Sequence, residues 1–444
     1  MNHETTTKEK ASPNAIASND PSESSATATG DAHESNDAIS YPEGGWAAWS
    51  VVLGSWMICF GTMGILNSVG IFQAYMQENQ LHDYSAGQVA WIFGLYTFLA
   101  FFCGIQVGPI FDAKGPRVLV ICGSIGTVLF LLLLGLCREY WHFMLVFGPL
   151  AGTSVSLGFN PAISIVAHYF NKNRGFATGV ASSGASFGGV IFPLLFQGVA
   201  SKVGFVWATR AISLLTMVAF IFGIILVRPR TPSKNRAAIR AVLFDLSAFR
   251  DTRLMLASMG IFFMEWGLFG PITYLTSYAL AHGTSSGFAY LLLSLVNLAS
   301  IFGRLIPGYC ADRIGRFNTL IITIFACLLV VSCLWVTAGA SHEMMLAFAL
   351  LFGFASGSNV SLAPVCVGQL CRLEAYGRYY ATAYAVVSIS CLTAIPIAGA
   401  ILTQCDGEYW GLIAFTAVSY GASLLCLVGT KIFCCKENSI LAIF

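Results

Sequence analysis

Charge is what this sequence has least of. Asp, Glu, Lys and Arg together make up 10% of its 444 residues, against roughly 25% in a soluble globular protein. Water-soluble domains cover their surfaces with such groups, so the composition excludes a chain of two or three soluble domains. Other absences narrow the function. The fourteen cysteines are scattered, with no CxxC pair at metal-ligand spacing, so no metal site is indicated. His82, His142, His168, His282 and His342 fall in different loops and block ends, with no HExxH and no nucleophile–base spacing. That argues against an enzyme, and nothing points to a cofactor. No GxxxxGK[ST] loop is present to cradle ATP phosphates, so any work the chain does is driven by a gradient. The net charge of +2 gives no reason to expect a nucleic-acid partner. Residues 1–40, rich in Ser, Thr, Ala, Asn and acids, lack the apolar core of a signal peptide and read as a disordered tail.

Apolar residues, by contrast, are abundant and blocked. They make up 56% of the chain, with 34 phenylalanines, and the mean hydropathy is +0.73. Twelve blocks follow one another at about 46–73, 87–108, 118–136, 142–169, 175–199, 205–227, 254–280, 287–309, 317–338, 343–370, 378–403 and 409–432. Each is long enough to cross a bilayer as a helix, for which about 20 residues are needed. In lipid the backbone must satisfy its own hydrogen bonds, which selects helices over open strands. The expected fold is therefore all-α and polytopic: twelve transmembrane helices in two six-helix halves. The halves cover residues 41–228 and 254–432, joined by a linker at 229–253 and followed by a tail at 433–444.

The few basic residues give an orientation. With the N-terminus inside, 19 of the 23 Lys and Arg fall in inner loops and tails. Arg138 and Lys202 fall outside, and Arg210 and Arg304 fall within spans. The positive-inside rule then places both termini in the cytosol, and the plasma membrane is the expected location. The basic stretch 228–253 reads as an inner loop beside anionic lipid. Cys434 and Cys435 are plain helix-end residues or palmitoylation sites. The sequon Asn359-Val360-Ser361 lies within a span, where glycosylation is not expected.

A repeat separates two of the inner loops by two hundred residues. "GPIFDAKGPR" runs from Gly108 to Arg117 and "GYCADRIGR" from Gly308 to Arg316, so that Gly108 and Gly308, Asp112 and Asp312, and Gly115 and Gly315 each differ by 200. "RGFATG" at Arg174 is echoed by "RYYATA" at Arg378. Parallel halves of this kind place a substrate path at their interface, near the midplane. The two loops resemble the inner-loop signature of the major facilitator superfamily, and this resemblance implies that Asp112 and Asp312 bond a neighbouring helix end and hold an inward gate. On the residues alone, each is an ordinary capping Asp in a tight turn. "EGGWAAWSVV" at Glu43–Val52 and "YFNKNRGFATGVASSG" at Tyr169–Gly184 are similar to signatures of the monocarboxylate transporter family, its fungal branch included. Each also has a physical reading. Trp46 and Trp49 suit an interfacial aromatic belt, and the two GxxxG patterns in the fifth block suit close helix packing.

Ionisable residues inside spans are expensive and mark functional candidates. Glu265 is the one acid deep in a span, and reads either as a proton carrier or as a structural carboxyl bonded to the next helix. Arg304 lies about 6 Å of helix rise from the inner end. It reads either as a cavity cation that attracts an anion, for which its fork suits a carboxylate, or as a side chain snorkelling to the interface. The family resemblance adds a contrast. Lactate carriers have an Asp one turn before this Arg and a Lys in the first span. Here Ser300 and Asn67 stand at those positions, which implies a substrate other than lactate. His168 is a second proton candidate. Asn160, Asn297, Tyr274 and Tyr278, with Trp266, Gln369 and Tyr384, are the polar and aromatic residues available to line a cavity.

The sequence therefore leads to a secondary transporter, its two halves rocking about a central path, with a proton gradient the most plausible drive. The first expectation is export of a small organic acid or secondary metabolite, and the second is uptake of a nutrient or monocarboxylate. A membrane sensor that kept a transporter fold is the rival from another class; it predicts a long cytosolic signalling domain, and the 25 residues of 229–253 and the short tail at 433–444 argue against it. The partners implied are the bilayer and a small organic molecule; no accessory protein is indicated.

Overall fold

The computed structural model describes residues 42–170, 172–228, 250–371 and 376–434; the terminal segments and most of the linker expected at 229–253 lie outside them. The described chain forms twelve helices long and apolar enough to cross a membrane, and there is no strand among the described residues. In order they are α1 (Gly45–Glu78), α2 (Ala86–Gly108), α3 (Pro116–Leu134), α4 (Tyr140–Val166), α5 (Arg174–Val203), α6 (Phe205–Leu226), α7 (Thr252–Ala281), α8 (Ser286–Ile314), α9 (Arg316–Ala338), α10 (His342–Gln369), α11 (Tyr376–Gln404) and α12 (Trp410–Cys434). Leu, Ile, Val and Phe cover the outward faces. Leu425, Val418 and Ile125 are more than half exposed, as expected of side chains that face lipid rather than water.

Local chemistry explains where the helices begin and bend. The Ser85 hydroxyl accepts from the Gln88 amide while Gln88 reaches back to the Ser85 amide, which closes a capping box at α2. Gly115 and Gly315 end the two repeat loops at φ 75° and 97°, a region open to glycine at little cost. Several helices are not continuous. The α-helical bonding of α1 breaks at Asn67–Ser68 and resumes at Val69. That of α10 breaks at Gly357–Ser358 and resumes at Asn359. Wider turns occur at Val146–Ala151 in α4, where Pro149 removes a donor, and at Val331–Trp335 in α9.

Small residues set how closely the helices approach. The two GxxxG patterns of α5 prove to serve different neighbours. A Cβ on Gly188 would lie 2.6 Å from the Gly64 Cα of α1, and one on Gly179 would lie 2.6 Å from the Arg304 carbonyl oxygen of α8. One helix therefore has two glycine faces, one inside its own half and one against the other half. Without a hydrophobic drive between helices in lipid, such contact is a main source of cohesion. Gly188→Leu is expected to lower the melting temperature of the purified protein by several degrees. Overpacking of this kind costs about 1–3 kcal/mol, and an unchanged melting curve in detergent would show that the α1–α5 crossing yields freely.

Candidate functional site

The two halves meet along two long seams. On the first, α5 runs antiparallel to α8. From the repeat-loop end upward, Gly175 lies against Gly308, Gly179 against the Arg304 backbone, Ser186 Oγ is 3.1 Å from Ser300 Oγ, and Gly189 faces the Asn297 amide. On the second seam, the Thr97 hydroxyl of α2 donates to the Cys391 carbonyl of α11 at 2.8 Å, Gly94 lies under Leu392, and Phe101 stacks on Tyr384 at 6.0 Å. Between the seams α1 touches α7, where a Cβ on Gly70 would meet the Ile272 carbonyl at 2.7 Å.

At the repeat-loop end, two carboxylates grip the start of α5. Asp312 accepts from the Gly175 amide at 3.1 Å and the Phe176 amide at 3.0 Å. Glu43 accepts from the Lys172 amide at 2.7 Å and the Asn173 amide at 3.2 Å. The first amides of a helix have no partner within it and carry its positive dipole end, so anionic acceptors are favoured there. Asp312 belongs to the second half and Glu43 to the first, and only the Asp312 clamp joins the halves. Glu43 is held at φ 51°, unusual for a residue with a side chain. Arg316 lies within electrostatic reach of Asp312. The stretch read as a loop in the sequence is helical up to Ile314: Gly308 is buried within α8 and Gly315 follows its end. In the first repeat the helix continues through Gly108 to Lys114, Gly115 precedes α3 and Arg117 is exposed in its first turn, while the side chain of Asp112 lies outside the described residues.

Arg304 lies deeper in the same seam. It is 4% exposed, so it does not snorkel to an end of the bundle. One terminal nitrogen donates to the Ser182 carbonyl of α5 at 2.8 Å, and Nε approaches Ser300 Oγ at 3.4 Å. The Cys59 thiol of α1 faces it, and no carboxylate pairs with it among the described residues. Beyond Ser300, the Asn297 amide donates to the Asn67 carbonyl at 3.4 Å, at the point where α1 breaks. Asn67 Nδ2 is buried without a partner. The structure thus brings Arg304, Ser300, Asn297 and Asn67 into one row along the α5–α8–α1 junction, joined by Ser182 and Ser186, which the sequence alone did not single out.

The remaining candidates are dispersed. Asn160 of α4 accepts from the Tyr380 hydroxyl of α11 at 3.3 Å, a further link between halves. The Tyr274 hydroxyl donates to the Ile395 carbonyl at 3.2 Å and lies beside Gln73 of α1, whose Oε1 is buried without a partner. In the sequence a single Gln near the end of an apolar block carries no pattern. Tyr278 points to the other end of the bundle, where its hydroxyl approaches the Gly339 carbonyl at 3.4 Å. Trp266 donates to the Thr393 hydroxyl at 3.1 Å, and Tyr384 stacks on Tyr380 at 4.3 Å. Gln369 closes α10 with its Oε1 unpartnered, and His168 packs on Phe111 at 5.4 Å. Glu265 stands apart from the seam row. It is 2% exposed, inside the second half, with Cys391 and Tyr420 as its titratable neighbours and Oε2 without a partner.

The arrangement resembles a path between two rocking halves more than a reaction centre. Comparison with known proteins agrees with this. A model of the Major Facilitator Superfamily matches residues 51–395. A riboflavin transporter of Saccharomyces cerevisiae is 35% identical over 423 residues, covering 90% of this chain and 81% of its own length. The fujikurins efflux protein of Gibberella fujikuroi is 37% identical over 395 residues, 88% of this chain and 82% of its own. The aspyridones efflux protein of Emericella nidulans is 35% identical over 369 residues, 83% and 74% of the two chains.

The clamp at the start of α5 yields a direct expectation. Asp312→Asn is expected to raise hydrogen–deuterium exchange of the Gly175 and Phe176 amides at least ten-fold, because a hydrogen bond to a charged group is worth about 1.5–3 kcal/mol. Exchange at Lys172 and Asn173 should rise only with Glu43→Gln. Unchanged exchange in both variants would show that the carboxylates do not hold this end shut.

Proposed function

The chain belongs to the Major Facilitator Superfamily and is a transporter, and from that premise we propose that it exports a small anionic organic metabolite in exchange for protons. Both termini would be cytosolic and the repeat-loop end would face the cytosol, as the distribution of Lys and Arg favours. The plasma membrane is the membrane in which such export serves the cell.

The observation that carries the proposal is Arg304. An unpaired guanidinium inside a membrane protein is costly, about 2.5–3.5 kcal/mol even on the mildest insertion scale. Partial satisfaction by the Ser182 carbonyl leaves its charge uncompensated. A substrate carboxylate or phenolate entering the seam supplies that compensation and forms a forked, charge-assisted bond. Rocking apart at one end then exposes the row Arg304–Ser300–Asn297–Asn67 to that side. Breaking the Asp312 clamp exposes it to the cytosol, while parting α2 from α11 near Gly87 and Gly399 exposes it to the outside. Ser300 and Asn67 in place of charged residues leave Arg304 as the single fixed charge of the row, which suits larger anions with few polar groups. Efflux of secondary metabolites, named for two of the relatives, fits that class. The riboflavin transporter favours a second reading, uptake of a vitamin-sized nutrient, since the same row bonds a polar heterocycle equally well.

Glu265 supplies the proton side of the exchange. It is an acid with no cation beside it among the described residues, so it holds a proton without an ion pair to break.

Two substitutions test these roles in proteoliposomes, using a panel of organic anions and their uncharged isosteres, riboflavin included. Arg304→Gln is expected to raise KM for anions at least ten-fold while sparing any uncharged substrate. Equal loss for both classes would reduce Arg304 to a packing role. Glu265→Gln is expected to abolish pH-driven flux and to preserve substrate counterflow; driven flux at the wild-type rate would remove Glu265 from coupling.

A further inference from the structure

At the end of the bundle opposite the repeat loops, a pocket of about 430 Å³ opens between the ends of α7, α9 and α12. That volume is within the usual range of small-molecule sites, about 300–1,000 Å³. All of its lining belongs to the second half, and none of the residues that meet across the two seams takes part. The lining is ordered by depth. His282 follows the last residue of α7, Gly339 follows the last of α9, and Glu408 and Tyr409 precede the first of α12. These polar members stand where the helices end. Ile413, Ala414 and Ala417 follow within the first turns of α12, about 10 Å of helix rise from Trp410 to Ala417. The α9 wall is Val336 and Ser332, at and beside the wider turn Val331–Trp335.

One side of the pocket is open. Val336 and Trp410 are 60% and 69% exposed, and Ser332 and Ala414 are exposed beside them. In a membrane that side faces lipid, so the pocket fills from the bilayer. Its polar end presents mainly acceptors. His282 Nδ1 is 2.9 Å from the Tyr278 carbonyl. A carbonyl only accepts, so Nδ1 holds the proton, and the neutral ring offers Nε2 as an acceptor. The Glu408 carboxylate also only accepts. The Tyr278 hydroxyl is already directed to the Gly339 carbonyl at 3.4 Å. No Lys or Arg is among the lining residues, so a phosphate here would meet a carboxylate and no cation. This end fits a small head that donates a hydrogen bond. The apolar end is walled by the short side chains of Ala414, Ala417 and Ser332, which let a flat body lie close to the helices.

We propose that this pocket binds a membrane sterol, its hydroxyl donating to the Glu408 carboxylate with His282 Nε2 as the neighbouring acceptor, and its fused rings lying on Ala414 and Ala417 between α12 and α9. A sterol has one small donating head and a rigid hydrocarbon body, in the same order along the membrane normal as the lining. A phospholipid fails at the head, because its phosphate finds no cation. Packing rather than water exclusion holds an apolar body to a helix in lipid, and a rigid body loses less conformational freedom on docking than flexible acyl chains do. The sterol touches the ends of three helices of one half, so it stiffens that half and leaves both seams free to part. The proposal is independent of which side of the membrane this end faces and of which molecule the protein carries.

The test places the full chain in phosphatidylcholine nanodiscs with a trace of cholesterol bearing a photoreactive diazirine on its rings, and maps the labelled peptides by mass spectrometry. Label is expected to concentrate in 332–339 and 408–417. Glu408→Ala is expected to lower it about ten-fold, the factor that one hydrogen bond to a charged acceptor supplies. Ala414→Trp, which fills the groove from its lipid side, is expected to lower it at least as far. Both positions are exposed, and either variant alone decides the question should the other fold poorly. Unlabelled cholesterol is expected to displace the probe, and phosphatidylethanolamine at the same mole fraction is not. Label spread evenly over the lipid-facing helices, wild-type labelling in the folded variants, or equal displacement by phosphatidylethanolamine would each overturn the proposal.

Discussion

A bilayer offers no water to a helix that is out of contact, so the positions of all twelve helices depend on how closely their backbones approach. Along α5 that approach is close on two sides. A Cβ on Gly179 would lie 2.6 Å from the carbonyl of Arg304, and one on Gly188 would lie 2.6 Å from Gly64. The same α5 backbone thus carries a contact with α1 inside the first half and a contact with α8 across the seam. The first makes a rigid half, and the second makes a seam. Arg304 is buried because its backbone is drawn against Gly179, and its guanidinium then has no route to the interface.

Charge is distributed along this seam by depth. At its end, where water is near, the carboxylates of Asp312 and Glu43 bind the exposed amides of α5. In the middle, Arg304 is tied to one backbone carbonyl and to the Ser300 hydroxyl, which the Ser186 hydroxyl meets in turn. Among the described residues no carboxylate faces Arg304. The acid is elsewhere, inside the second half and away from the cation. Had Glu265 stood beside Arg304 the two would neutralise each other as a buried pair.

Interruptions in the helices fall at the residues that matter. α1 breaks at Asn67, where Asn297 reaches its carbonyl, and α10 breaks just before Asn359. A continuous helix consumes its own carbonyls and amides; a broken one releases them to side chains, water or substrate. The Asn359 sequon illustrates how such a residue is missed. In the sequence it is a glycosylation pattern in an unsuitable place, and only the fold shows that its amide faces Tyr420.

Composition and periodicity by themselves determined the class of this protein. Scarce charge and twelve apolar blocks leave helical spans as the only stable arrangement in lipid, and the 200-residue echo of Gly108–Arg117 in Gly308–Arg316 divides them into two halves. Glu265 and Arg304 were legible as candidates because any charge in such a block is conspicuous. Their surroundings were not, because a side chain's neighbours come from other helices at separations of more than a hundred residues. The tertiary structure alone decided that Arg304 turns into the seam toward Ser182, that Glu43 shares the start of α5 with Asp312, and that Glu265 faces Tyr420 inside one half. Helix rotation about the long axis settles each of these, and packing against small residues sets that rotation, which no single helix encodes.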